Sequence, residues 1–591
     1  MSKKNIFILG FGCFYHDSSA CLLKDGKIVA AAQEERFTRK KHDISFPINS
    51  IKYCLESQNI TINDIDYIAF YEKPFLKFER LLYQHLQMFP KSYKIFLSSL
   101  PSWFNERLKI IKLIRKKLKY KKDVLFIEHH LAHAAGSFLP SPFKNAAILT
   151  IDGVGEWTTT AYGIGKGNDI NLEKEIKFPS SLGLLYSTIT AYLGFSVNNA
   201  EYKVMGLAPY GNMNKKTNPY YLKLKKVIDI KEDGSYRLDM SYFVYHYKDR
   251  MPSKKLCKLL EGNVRKPSEE ITQRHKDIAA ALQLVYEEVV TKILNHVYKV
   301  TKQKNLVIAG GCGLNSVFNG KILKNTSFKD IWSQPDPGDG GTCIGAALYV
   351  YNSILGKKRV YQMKDAFLGP EFSREEIKKF LDENKIKYLE FKNNKELIKK
   401  TSRLIYQDNV VGWFHNRMEW GPRALGARSI LSNACNPEMK EILNLKVKHR
   451  ERFRPFAPVV CIDDAKKYFS CDNPIPLPTD FMLLVYPIKK EFQVKIPSVT
   501  HVDGSGRLQT IRRSQNPLYY DLIKEFGKIS GIPILINTSF NIRGEPIVCS
   551  YYDAYKCMMG TGIDYLVIDK FLIKREDNPQ DMWDSEKYAK D

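Results

Sequence analysis

No uninterrupted apolar stretch of about 18 residues occurs in this 591-residue chain, so no membrane span is expected. The eleven cysteines are scattered, with no Cys-x-x-Cys pair. Their scatter disfavours a disulfide framework and a zinc-finger site, and a reducing, cytoplasmic setting fits best. The opening MSKKNIFILG turns polar too soon for a secretory signal and ends in no small-residue cleavage site. It reads instead as a first β-strand. Acids are few: 64 Asp and Glu stand against 91 Lys and Arg, a net charge of +27. That excess suits nucleotides, phosphates or nucleic acid, and equally a lysine-rich surface with no such partner. None of the usual helix-turn-helix, zinc-finger or RNA-binding signatures is present, so no obligate nucleic-acid partner is expected.

What is present is a globular composition, with 44% apolar residues. The length allows about four average domains or two large α/β domains. Residues 5–35 read as strand, polar turn, strand, with Asp25-Gly26 as a hairpin dipeptide before a further strand over Ile28–Ala32. Residues 146–165 repeat that shape around Asp152-Gly153. Glycine-rich turns occur at 309–316, after a strand, and at 337–341, where a helix opens. Such turns and helix N-termini present backbone N–H groups that cradle phosphate, and the paired layout resembles a duplicated actin-like ATPase. Residues 212–275 are charged and read as an insertion. A boundary is expected over 351–364, a second α/β unit over 366–575 and a polar tail over 576–591. Arg107–Lys122 holds nine basic residues and no acid. Leu108, Ile111, Ile114 and Leu118 fall there at helical spacing, giving a basic amphipathic helix that packs its stripe or meets an acidic partner or membrane surface.

Four constellations carry chemistry. His129 and His133 sit at i, i+4, a spacing suited to a divalent metal, with Asp152 and Asp339 as further ligands; mixed N/O ligation suits iron or zinc. Plain helix-surface histidines are the alternative. Trp420–Ser429 and Lys448–Pro458 set arginines among Pro, Gly and aromatics, and Arg507, Arg512, Arg513 and Arg543 come later in the chain. The planar guanidinium fork suits phosphate or carbamate. Asn537–Pro546 is an amide- and hydroxyl-rich turn after a strand. In Glu201–Gly211, Lys203 suits a phosphate and Glu201 a ribose, or the segment is an ordinary loop.

Taken in order, HDSSA (16–20), AAQEERFTRKKHD (31–43), HHLAHAAGSF (129–138), IDGVGEW (151–157), EYKVMGLAPYG (201–211), GGCGLNS (310–316), PGDGGTCIGAA (337–347), GPRALGARSIL (421–431), KHRERFRPFAP (448–458), HVDGSGRLQT (501–510) and NTSFNIRGEP (537–546) resemble the NodU/CmcH family of O-carbamoyltransferases over nearly the whole chain. Weaker likeness extends to the enzymes that make threonylcarbamoyladenosine in tRNA, the alternative function. The resemblance implies an α/β protein. Its N-terminal duplicated actin-like (ASKHA-type) domain would span 1–355, and a C-terminal YrdC-like domain that forms carbamoyl adenylate would span 366–575. It implies two steps: carbamoyl phosphate and ATP yield carbamoyl adenylate, whose carbamoyl group passes to a hydroxyl of a sugar or natural-product acceptor. It places His129, His133, Asp152 and Asp339 on a metal, iron(II) first, with zinc or manganese as alternatives. Lys203, Gly206 and Asn315 would bind nucleotide. Arg423, Lys448, Arg454 and Arg507 would bind carbamoyl phosphate and ATP, with Asn537 and Arg543 in the adjoining cofactor motif. His16, Asp17 and Lys41 would act at the transfer site, His16 or Asp17 as base. The acceptor is a small molecule or glycan with a free hydroxyl; its identity and the oligomeric state are not readable.

Overall fold

Apolar runs bounded by turn residues build the first sheet. β1 (Phe7–Gly12) pairs antiparallel with β2 (Ser19–Lys24), and the Asp25-Gly26 turn leads into β3 (Lys27–Gln33). Both turn residues have positive φ, 49° and 79°, as a two-residue hairpin turn requires. β4 (Tyr67–Phe70) runs parallel to β1, and β5 (Val124–Phe126) parallel to β4, giving the order β3-β2-β1-β4-β5. The computed structural model describes residues 5–451 and 453–579.

The second sheet repeats this plan. β6 (Asn145–Ile151), β7 (Thr158–Lys166) and β8 (Asp169–Lys177) form an antiparallel meander. A separate hairpin, β9 (Ile228–Ile230) and β10 (Tyr236–Leu238), intervenes. β11 (Asn305–Ala309) then lies parallel to β6, and β12 (Asp330–Trp332) parallel to β11. Read as β8-β7-β6-β11-β12, the order and directions match those of the first sheet, so the duplication expected from the two strand-turn-strand segments is present. Three helices lie close to the functional residues of this unit: α1 (His129–Phe138), α2 (Gln273–Thr301) and α3 (Thr342–Tyr349). α1 and α3 touch through their backbones. A Cβ on Gly345 would stand 1.8 Å from the Ala132 carbonyl oxygen, and one on Gly136 would stand 3.2 Å from Gly345 Cα. Only glycine allows that approach.

The chain divides into two compact units. One comprises the residues up to Val29 together with Ile44–Gln362, and the other comprises Ala30–Asp43 together with the residues from Met363 onward. The second unit holds a nine-stranded mixed sheet. Its strands are β13 (Leu389–Glu390), β14 (Val411–Phe414), β15 (Arg428–Asn433), β16 (Ala457–Cys461), β17 (Leu484–Pro487), β18 (Ser505–Ile511), β19 (Ile534–Ser539), β20 (Tyr565–Ile568) and β21 (Phe571–Lys574). They lie in the order β13-β21-β20-β14-β15-β19-β16-β18-β17. Helices Asn394–Tyr406 and Pro517–Ser530 close one side of its core over Trp413, Leu431 and Leu535.

Two local readings change. In the basic stretch, the buried stripe is Ile110, Ile114 and Leu118, while Ile111 is exposed. The helix begins only at Ile110, so Leu108 lies outside it, while Ile114 and Leu118 keep their expected places on the buried stripe. The charged 212–275 segment is folded against the first unit. It buries Tyr221, Leu224, Tyr236, Leu238 and Phe243, aromatic and aliphatic residues in short groups between charged stretches. Of the expected polar tail, Glu576 and Asp577 complete a short helical turn begun at Arg575, and 580–591 lie outside the described residues.

Candidate active site

The four proposed metal ligands of the first unit meet at one point. α1 places His129 and His133 on one face, as i, i+4 spacing demands. Asp152 comes directly after the C-terminal end of β6, and Asp339 stands in the turn that opens α3. His129 Nε2 lies 3.2 Å from Asp152 Oδ2 and 3.0 Å from His133 Nε2. Asp339 Oδ1 lies 3.6 Å and 3.5 Å from the same two nitrogens. All four side chains are buried, and one ligand atom from each lies within 4.8 Å of the others. Asp152 Oδ1 also accepts from Gly311 N at 2.9 Å, joining the turn after β6 to the glycine turn after β11.

A cation fits this set. Both Asp339 carboxylate oxygens are buried with no hydrogen-bond partner. Two imidazole nitrogens face each other, where at most one can donate to the other if both rings are neutral. Burial would raise Asp152, but the hydrogen bond with His129 and the charge of His133 outweigh it and hold the carboxyl well below its ordinary range. His130, the middle histidine, takes no part. Its Nδ1 meets Thr150 Oγ1 at 2.7 Å, and burial pushes it down to about 3, so it stays neutral.

His16 and Asp17 border this centre. His16 Nδ1 lies 2.9 Å from Asp17 Oδ2, and its Nε2 lies 3.6 Å from Asp339 Oδ2. Burial would lower His16, but the Asp339 carboxylate and the bond with Asp17 raise it to about 10. Glu156, which no sequence pattern singled out, anchors the site from behind. Both its carboxylate oxygens accept from His129 N at 3.1 Å, and Lys73 N donates to it at 2.8 Å. A carboxylate at the first N–H of α1 satisfies an otherwise orphaned donor and favours the helix dipole. Its one signal in the sequence is its place four residues after Asp152 in the same turn.

The proposed nucleotide residues of this unit differ in their freedom. Lys203 is buried on the helix Glu201–Leu207, with its ammonium 5.7 Å above the Phe195 ring, and Gly206 lies on the same helix. Glu201 opens that helix and accepts from Ser187 Oγ and Asn198 N. Asn315 is held by a reciprocal amide pair with Gln283, at 3.1 and 3.2 Å, and caps the turn at Phe318 N.

In the second unit, Lys448 is buried. Its ammonium donates to Asn541 O at 3.0 Å, to Asn541 Oδ1 at 2.9 Å and to the Ser539 carbonyl. Burial, then the charges of Arg450, Arg454 and Lys41, press its pKa well down. Lys41 therefore belongs with this cationic group in the second unit, whereas His16 and Asp17 belong to the first. Arg454 pairs with Glu451 at 3.6 Å, Arg543 donates to His449 O at 2.8 Å, and Arg507 sits on β18 opposite Val485. Asn537 Nδ2 reaches Ala424 O and Gln509 Oε1, while its buried Oδ1 has no partner. The arginines of Gly421–Leu431 divide. Arg423 stays a ligand candidate. Arg428 is fully buried, stacked 3.6 Å over Phe414 and bonded to carbonyls of Cys549, His415, Asn416 and Pro370. It ties that loop into the core, and Glu419 fixes the loop by accepting from Leu425, Ala427 and Arg428 N.

Comparison with known proteins decides the family. Residues 7–348 match the carbamoyltransferase N-terminus model, and residues 402–575 match the carbamoyltransferase C-terminus model. The chain belongs to the carbamoyltransferase family. This carbamoyltransferase is 44% identical to an uncharacterised protein of Synechocystis over 97% of both chains. It is 35% identical to the nodulation protein NolNO of Sinorhizobium fredii, over 96% of this chain and 80% of that one. Among solved structures, component A of the (R)-2-hydroxyglutaryl-CoA dehydratase of Acidaminococcus fermentans aligns at 13% identity and a TM-score of 0.30, covering 59% of this chain and 99% of that one. As a carbamoyltransferase the protein is a transferase enzyme, and among its described residues no helix is long and apolar enough to cross a membrane.

Proposed function

We propose that this carbamoyltransferase is ATP-dependent and works in two steps, one in each unit. The second unit, read as YrdC-like, takes carbamoyl phosphate and ATP. Water releases phosphate from carbamoyl phosphate, the resulting carbamate oxygen attacks the α-phosphorus of ATP, and pyrophosphate leaves, giving carbamoyl adenylate. The first unit, read as actin-like, transfers the carbamoyl group to a hydroxyl of a sugar or natural-product acceptor. There the hydroxyl oxygen bonds to the carbamoyl carbon, the bond from that carbon to the AMP oxygen breaks, and AMP leaves. The observation that carries this reading is that each family-matched unit has its own charged centre: buried His129, His133, Asp152 and Asp339 in one, and Lys448 with Arg450, Arg454 and Lys41 in the other. The tRNA-modifying alternative is not favoured by the family models that match.

The roles rest on the chemistry of the side chains. His129, His133, Asp152 and Asp339 would hold the metal, with iron(II), zinc and manganese all suited to N2O2 ligands. When bound, the cation neutralises the two carboxylates and the charge growing on the departing phosphate. A cation sharing Asp339 would remove the main charge that raises His16, which would then, with Asp17 as its partner, accept the hydroxyl proton. Lys448, Arg454, Arg423 and Arg507 bind the phosphates of the first step, which arginine and lysine do by charge-assisted hydrogen bonds. Shielding carbamoyl adenylate from water favours transfer over hydrolysis.

The deciding experiment measures AMP and pyrophosphate release from ATP, with and without carbamoyl phosphate, no acceptor added and hydroxylamine as trap. Carbamoyl-phosphate-dependent release with hydroxyurea formed is expected. Release that ignores carbamoyl phosphate in folded, metal-loaded protein sinks the adenylate step. His133→Asn is expected to leave that trapped step intact while abolishing transfer; equal loss of both refutes the division of labour.

A further inference from the structure

The helix Pro74–Gln87 is packed inside out. It buries Lys77 and Arg80 while Phe75, Leu82 and Leu86 stand exposed, at 71%, 39% and 67%. Spacings of seven and four residues put these three on one stripe of the helix. Lys77 is drawn inward by Glu72 at 2.5 Å, and Arg80 stacks on the Phe178 ring at 5.1 Å. The stripe continues outward through Phe89, 69% exposed. The next helix, Tyr93–Ser102, buries no residue although it carries Ile95, Phe96, Leu97 and Leu100. Phe104 and Ile111 extend the exposed apolar surface. A water-facing surface rarely leaves so many large apolar side chains together without a partner.

The same stretch concentrates the positive charge. Residues 73–122 hold fourteen Lys and Arg against two acids, Glu79 and Glu106, so they supply +12 of the net +27. Lys91, Lys94, Lys112, Arg115, Lys116 and Lys117 are all exposed. Beneath the last four, the helix Ile110–Leu118 is anchored by its buried stripe and faces its cations outward.

An occupant must answer both features. A soluble phosphate or polyanion would satisfy the cations and leave the aromatics in water. A second copy docked through this face would set its exposed Lys91, Lys94, Lys112, Arg115, Lys116 and Lys117 against the same cations. An anionic bilayer surface suits both, because apolar side chains enter the boundary of headgroups and acyl chains while lysines meet lipid phosphates. We propose that residues 73–122 form a peripheral docking surface for anionic lipid membranes. It holds the enzyme on the surface of a bilayer.

The test uses the full-length protein and sedimentation with vesicles of phosphatidylcholine alone or mixed with phosphatidylglycerol, at low and high salt. Two combined variants probe the two features: Phe75→Ser with Leu86→Ser and Phe89→Ser, and Lys91→Gln with Lys94→Gln and Lys112→Gln. All six positions are exposed, and circular dichroism verifies the fold. Heparin retention and sedimentation equilibrium accompany each. Expected is at least about tenfold stronger retention on the anionic vesicles, weakened by salt. The serine variant is expected to lose vesicle binding while keeping heparin retention, and the glutamine variant to lose both. Failure of the wild type to sediment with anionic vesicles overturns the proposal. Vesicle binding that survives the serine substitutions overturns it in favour of a plain polyanion surface. A wild-type dimer that the serine variant makes monomeric overturns it in favour of self-association.

Discussion

Both carboxylate oxygens of Asp339 are buried without a hydrogen-bond partner, beside a second carboxylate, two imidazoles and, at 3.6 Å, the ring of His16. Burial of a carboxylate in that condition is costly unless a cation shares it. Adding iron(II) or zinc to chelator-stripped enzyme is therefore expected to raise its thermal midpoint, by a stabilisation of about 2.7 kcal/mol when metal stands at a hundredfold excess over Kd. Asp339→Asn is expected to abolish that shift and bound metal alike. An equal metal-dependent shift in the variant would show that the cation sits elsewhere. At this scale the sequence was legible where chemistry rides on period. Two histidines four apart share a helix face whatever surrounds them, and Asp-Gly turns announce the two carboxylates. Glu156 was not legible, because its role depends on where the start of α1 comes to rest. Nor was the pairing of Asn315 with Gln283, whose partner lies 32 residues upstream on α2.

Elements were legible where hydrophobic period and turn chemistry agree, as in the hairpin around Asp25-Gly26 and the pair β6 and β7 around Asp152-Gly153. They blurred where burial rests on short apolar groups between charged stretches, with no sustained period, as in 212–275. There the helix Tyr221–Lys225 is fastened to α2 through Glu288, whose carboxylate meets Lys225 at 2.6 Å, Lys215 at 3.4 Å and the Tyr221 hydroxyl. Burial would raise Glu288, but the bonds from Lys225 and Tyr221 outweigh it and bring its pKa down to about 2 from 4.5. A carboxyl depressed in the folded state adds stability above the unfolded pKa and loses it as pH falls through the folded one. Glu288→Gln is accordingly expected to cost about 1–2 kcal/mol at pH 7, a figure discounted for partial exposure, and much less near pH 3. Urea midpoints at the two pH values test this. An equal cost at both would assign Glu288 a packing role in place of an ionic one.

At the scale of the whole molecule, the second unit is not a contiguous piece of chain. Ala30–Asp43 leave the first unit within β3 and supply part of the second. Arg36 donates to the Gly421 carbonyl, and Arg39 donates to the carbonyls of Ile547 and Pro546 and pairs with Glu545 and Asp553. Phe37 packs on the cluster of Met418, Ala424, Ile547 and Cys549, and Ala31 N bonds to Leu368 O. No local pattern in 30–43 reveals these contacts, since each spans more than 300 residues of chain. Without this segment the fragment from 363 to the C-terminus exposes that cluster and leaves the Gly421, Ile547 and Pro546 carbonyls without their arginine donors. Each lost bond to a charged donor costs about 1.5–3 kcal/mol, against a domain stability of about 5–15 kcal/mol. The bare fragment is expected to lack a cooperative thermal transition, and the same fragment carrying residues 30–43 on a flexible N-terminal linker is expected to regain one. Arg36→Ala and Arg39→Ala in the linked form should lower its midpoint together. A bare fragment as stable as the linked one would reduce the segment to a surface strap and restore the simple picture of two consecutive domains.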